Sequence, residues 1–168
     1  MKKVVRLTES DLTRLVRRVI DETKYKISKD ERIVISDTEN FLQVVPLTFT
    51  ASCKYGSDTK WCVTGNKGES TFQGYIDRQS DVSMIMIKNP EIKEKFGTGK
   101  FAFSLYNNWL EIHNDNNRYF NLFAVAKDAG VFEEVKSLLD DYIRFMKENR
   151  GVEKIRIPKD FNYPTPSL

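Results

Sequence analysis

Leu12, Leu15, Val16, Val19 and Ile20 recur at i, i+3, i+4, i+7 and i+8, the spacing that lays a single apolar stripe along a helix of about 14 residues. Thr8 followed by Asp11 makes a capping box with Asp in the position usually held by Glu, and Glu9 and Asp11 sit where the helix dipole favours acids, so the helix starts here. Arg14, Arg17 and Arg18 lie off the stripe. So short a helix is marginal alone in water, and it must dock on its own domain, on a second copy or on a partner.

Beyond a polar connector at Thr23 to Lys29 the period changes from 3.6 to 2. Arg32–Ile35 and Phe41–Val45 read as a strand pair joined by the turn-rich Ser36–Asn40, with Pro46 closing the second strand. Thr48 to Tyr55 predicts a short helix ending at Gly56, Trp61-Cys62-Val63 a return to extended chain, and residues 69–78 a second short helix. Three strands follow at Val82–Ile87, Lys100–Tyr106 and Trp109–His113, the last two joined by Asn107-Asn108, since Asn tolerates positive φ. Phe101, Phe103 and Leu105 fall on one face of their strand, which a sheet buries more readily than it offers as a base-stacking platform with Tyr106 and Trp109.

The charged stretch Glu91 to Gly99, with two glycines, reads as a loop able to act as a mobile flap. Helices then run from Leu122 to Ala129 and from Phe132 to Asn149, the longer one carrying Val135, Leu138, Leu139, Tyr142, Ile143 and Met146 as a continuous stripe. Val152 to Ile157 would add an edge strand, and the Asn162–Pro166 tail continues neither element. Strands and helices are segregated, so the expected class is α+β, with a mainly antiparallel sheet of about five to six strands. An N-terminal amphipathic helix and a long C-terminal helix would pack it. The organisation expected is a basic helical segment at 1–22, one globular domain at 23–160 and a Pro-containing tail at 161–168.

Charge sharpens that division. Residues 1–30 carry nine Lys or Arg against five acids, and residues 31–168 eighteen against nineteen. A neutral body argues against a broad nucleic-acid-binding face, leaving the N-terminal helix as the place where nucleic acid could be met. No apolar run reaches the roughly 18 residues of a membrane span, and Arg6, Glu9 and Asp11 interrupt any export signal, so a cytoplasmic protein is expected. Two cysteines and the single His113 are too few for a disulfide framework or a four-ligand zinc site, and neither metal nor cofactor is expected.

The candidate chemistry clusters in Lys54–Gly65. Tyr55, Thr59, Lys60 and Trp61 would line a ligand site, while Cys62 with His113, and Asn114 or Asp115 orienting the imidazole, would form a cysteine nucleophile set for a hydrolase or transferase. The competing reading is a buried Cys62 packed under Trp61 and a His113 at a strand end. Gly56–Lys60 lacks the GKS or GKT sequence of a phosphate loop, Asp58 would repel phosphate, and Gly97–Lys100 is most simply a hairpin loop.

The segment Val5-Arg6-Leu7-Thr8-Glu9-Ser10-Asp11-Leu12 resembles an N-terminal segment that precedes many otherwise unrelated proteins of tailed bacteriophages. The block from Val45-Pro46-Leu47-Thr48 through Lys54-Tyr55-Gly56 to Thr59-Lys60-Trp61-Cys62, with Leu110–Asn117, resembles a second group of uncharacterised phage and bacterial proteins. Together the resemblances cover about half of the chain, imply phage origin and imply no activity. Ile20-Asp21-Glu22 and Leu7-Thr8-Glu9 are similar to cleavage sites of phage prohead proteases, whose cargo carries short N-terminal helices. That similarity implies an accessory or virion-associated protein with an unknown protein partner, acting by binding in the cytoplasm of an infected bacterium or packaged in the particle.

Overall fold

Two-residue alternation builds the centre of the molecule. The computed structural model describes residues 8–24, 31–65 and 68–161; the connector at 25–29 and the tail at 162–168 lie outside the described residues. Five strands, β1 (Arg32–Asp37), β2 (Phe41–Pro46), β3 (Ser83–Ile87), β4 (Lys100–Tyr106) and β5 (Trp109–Asn114), form a sheet in chain order, each neighbour antiparallel to the next. The fold class is α+β, as the segregation of elements predicts. Asn107 and Asn108 make the β4–β5 turn with φ of 49° and 65°, the left-handed pair that matches the twist of a two-residue hairpin. The expected sixth strand shrinks to one parallel bridge between Arg156 and Trp109. Only Arg156 reaches the β5 edge, donating to Asn108 O and accepting from Leu110 N, while Glu153 and Lys154 stay in solvent.

One face of the sheet carries Phe41, Ile85, Phe101, Phe103, Leu105, Leu110 and Ile112 against three helices, α4 (Pro90–Phe96), α5 (Leu122–Asp128) and α6 (Phe132–Arg150). Phe101 sits at the centre, with ring centroids of Phe41 at 6.1 Å and Phe103 at 5.7 Å in edge-on geometry. Val135, Leu138, Leu139, Tyr142 and Met146 of α6 are buried, with Ile143 half-buried at the margin. On the opposite face α2 (Phe49–Tyr55) and α3 (Glu69–Asp77) cover Val44, Met84 and Ala102. The sheet is therefore sandwiched, and β5, at its edge, leaves Trp109, Glu111 and His113 on the α2–α3 side. Phe161, assigned to the tail by composition, is buried in the larger core.

The flap expected at Glu91–Gly99 is instead α4. Asn89 accepts from the Glu91 N–H at 3.0 Å, Pro90 occupies the first turn, and Gly97 closes the helix with φ of 65°. Ile92 and Phe96, four residues apart, are buried; this two-residue anchor hides among Glu91, Lys93, Glu94 and Lys95. Gly97-Thr98-Gly99 is accordingly a helix end leading into β4, not a hairpin loop.

Candidate functional site

The Lys54–Gly65 segment is held by its main chain. Thr48 caps α2 by accepting from Ala51 N, and α2 ends at Gly56. A Cβ on Gly56 would lie 2.3 Å from Thr64 Cγ2 and 2.9 Å from Ser52 O, so only glycine lets the two ends of this loop meet. Trp61-Cys62-Val63 turns where extended chain was expected. Thr64 N donates to Trp61 O at 3.2 Å and Ser52 Oγ to Val63 O at 2.7 Å, which satisfies the backbone without a neighbouring strand.

The same loop docks on the turn after β5. Trp61 Nε1 donates to Asn114 O at 2.7 Å, and Lys60 N to Asp115 O at 2.7 Å. Lys100 Nζ donates to Ser57 O at 2.6 Å, and burial pulls its ammonium below the usual lysine value. Of the residues expected to line a ligand site, Tyr55 and Trp61 are buried, and Lys60 projects into solvent. Tyr55 lies under the Arg32 guanidinium, 4.9 Å from its ring centroid. Thr59 lines a shallow cleft of about 350 Å³ with Cys53, Gly56, Ser57, Asp58 and Thr64.

Cys62 is exposed, which corrects the expectation of a thiol buried under Trp61; Trp61 and Val63 point inward, so Cys62 points out. Its sulfur still sits against protein, and this partial burial pushes the thiol above its usual value; Glu111 adds to the rise, while Cys62's own backbone and Tyr75 oppose it. Burial pulls His113 down from its usual value, with Glu111 raising it. His113 meets the Tyr119 ring edge-on at 5.1 Å. No hydrogen bond joins Cys62 to His113. Asp115 bonds to Gly99 N and Asn116 Nδ2, and Asn114 Oδ1 to Asn116 N and Arg118 N, so neither orients the imidazole.

The centre of this polar strip is Glu111, which sequence reasoning passed over. Strand alternation puts it on the same face as His113, and cross-strand pairing brings Ser104 Oγ to 3.4 Å. Among the described residues no group of three His, Cys, Asp or Glu side chains could hold a metal ion. The arrangement as it stands holds the thiol above and the imidazole below their usual values beside Glu111, which does not activate Cys62 as a nucleophile.

The N-terminal helix, α1 (Glu9–Lys24), begins as expected: Thr8 N donates to Asp11 Oδ2 at 3.0 Å and Asp11 N to Thr8 Oγ1 at 3.1 Å. Its orientation is the reverse of an amphipathic docking. Leu12, Leu15, Val16 and Val19 are 55, 52, 52 and 54% exposed. Arg17 points inward, donating to Ile76 O at 2.6 Å and to Asp81 Oδ2 at 3.3 Å, while Arg14 approaches Asp77 at 3.8 Å. Asp81, just before β3, is 1% exposed and also accepts from Arg150 Nε of α6; its carbonyl receives the Tyr142 hydroxyl at 2.7 Å. One buried carboxylate thus ties α1, α6 and the start of β3 together, a role with no short-range sequence signal.

Among the described residues no helix is long and apolar enough to cross a membrane. Comparison of the chain with protein-family models, curated proteins and solved structures finds no match.

Proposed function

We propose that this chain acts by binding, as an accessory or virion-associated protein of a tailed bacteriophage, and that α1 is the element that engages its partner. The observation carrying the reading is the outward apolar stripe of α1, whose inner, arginine-bearing face is already committed to Asp81 and Ile76. Apolar anchors at i, i+3, i+4 and i+7 are the pattern by which a helix is read in a groove or against another helix. The resemblance of residues 5–12 and 45–62 to phage proteins supports that origin, and with it action in the infected bacterium or its particles. The lack of a hydrogen bond between Cys62 and His113 and the raised Cys62 thiol weigh for binding over cysteine catalysis.

The test is a photo-crosslinking amino acid in place of Leu15 in infected cells. A discrete adduct that disappears in Leu12→Glu or Val19→Glu is expected. No adduct, or one indifferent to both variants, would remove α1 as the binding element.

A further inference from the structure

We infer that the outward face of α1 pairs antiparallel with the same face of a second copy of this chain; the inference rests on the binding reading and names its partner. The stripe is close to self-complementary under a two-fold axis. Leu12 and Leu15 are three residues apart, as are Val16 and Val19, so an axis between residues 15 and 16 carries Leu12 onto Val19 of the second copy and Leu15 onto Val16. Each of these four side chains then meets an apolar side chain, while the axis carries position 20 onto position 11.

Charge selects the direction. Asp11 is half-buried and Arg18 exposed; seven residues apart, they share one margin of the stripe. In the antiparallel pair, Asp11 of each copy lies beside Arg18 of the other, within about one residue's rise of the axis set by the apolar positions. A parallel two-fold pair carries each margin to the opposite side of the seam, so Asp11 of one copy and Arg18 of the other fall on different sides and the opposite-charge contact is lost. Glu9 and Asp11 also oppose an anionic lipid surface. Arg17 holds the body to the inner face of α1 through Ile76 and Asp81, with Leu12 and Val16 bordering a cleft against Asn149 and Arg150 at one margin, so the two bodies fall toward the outer sides of the helix pair.

The area sets the strength. A stable interface buries roughly 800 Å² on each partner, which takes about 20–30 residues. One stripe of four side chains supplies less, so the pair is weak and reversible, half-formed on the order of 10–100 µM.

Sedimentation equilibrium of the full chain tests this. The expected mass rises from 19.6 kDa toward twice that value as concentration increases through the micromolar range. Leu15→Glu, at an exposed position, stays monomeric with an unchanged unfolding transition, and Arg18→Asp raises the dissociation constant at least about tenfold. Direction is read in a Cys53→Ser/Cys62→Ser background. Leu12→Cys mixed with Val19→Cys forms the mixed disulfide dimer, and neither variant cross-links efficiently with itself. Self-linked Leu12→Cys dimers without the mixed species would overturn the antiparallel pair. A wild-type chain monomeric at 500 µM would overturn self-pairing itself. If the Leu15 photo-adduct then contained a different protein, the binding reading would stand with a heterologous groove as its partner.

Discussion

Shortening Arg17 should loosen α1 more than shortening Leu15, the reverse of what the amphipathic pattern alone suggests. The Arg17 side chain is 12% exposed, and its guanidinium donates to Ile76 O at 2.6 Å and to Asp81 Oδ2 at 3.3 Å. Hydrogen bonds from a charged group contribute about 1.5–3 kcal/mol, and Arg17→Ala removes them without stranding Asp81, because Arg150 still pairs with it. Leu15 is 52% exposed, so Leu15→Ala opens no cavity, and alanine is the better helix former; the change should lie within about 0.5 kcal/mol. The cost of Arg17→Ala falls on the local opening of α1. It is read by native-state amide exchange over residues 9–24 at about 1 µM protein, where pairing of copies contributes little. Exchange should accelerate roughly 10–100-fold in Arg17→Ala and stay near wild type in Leu15→Ala. Fast exchange in Leu15→Ala with none in Arg17→Ala would mean that the stripe holds the helix to the body, and the outward face would lose its basis.

Asp81→Asn removes the buried carboxylate that both Arg150 and Arg17 bond to and should cost about 3–5 kcal/mol. With a urea slope of about 2 kcal/mol per molar, the midpoint falls by roughly 1.5–2.5 M; a shift under about 0.3 M would refute the node. Gly56→Ala drives a methyl into Thr64 and Ser52 O and should cost about 1–3 kcal/mol, whereas an unchanged midpoint would mean that the loop opens freely. Because His113 is held below its usual value of 6.5, the unfolded chain binds its proton first as pH falls. Its contribution to stability therefore rises with pH up to about 6.5 and is lost as pH drops toward the folded-state value, a slope that His113→Gln should abolish; identical slopes in both proteins would contradict the assigned environment. Cys62 should alkylate with iodoacetamide along a pH profile displaced above that of a free thiol, and a midpoint displaced below it would revive the nucleophile.

Local, periodic features were legible without coordinates. The β1–β2 and β4–β5 hairpins, the α6 stripe and the Thr8–Asp11 box each rest on residues a few positions apart, where propensity, alternation and capping chemistry act directly. Where a short element carries only two apolar residues among many charges, as α4 does with Ile92 and Phe96, periodicity over so few turns cannot be told from a loop.

The sequence by itself determined that α1 is a helix with one apolar stripe, because hydrogen bonding and side-chain spacing within 16 residues suffice for that. Only the tertiary structure decided which way the stripe faces. That choice depends on Asp81, about sixty positions beyond Arg17, being buried beside Arg150 of α6 and so offering an acceptor that outweighs apolar burial against the body. The same holds for the strip around Cys62. Alternation puts Glu111 and His113 on one face, but the turn at Trp61 and the cross-strand pairing decide that Cys62 lies by Glu111 without bonding to His113. Contacts between distant segments depend on how whole elements pack, and no window of the chain encodes them alone.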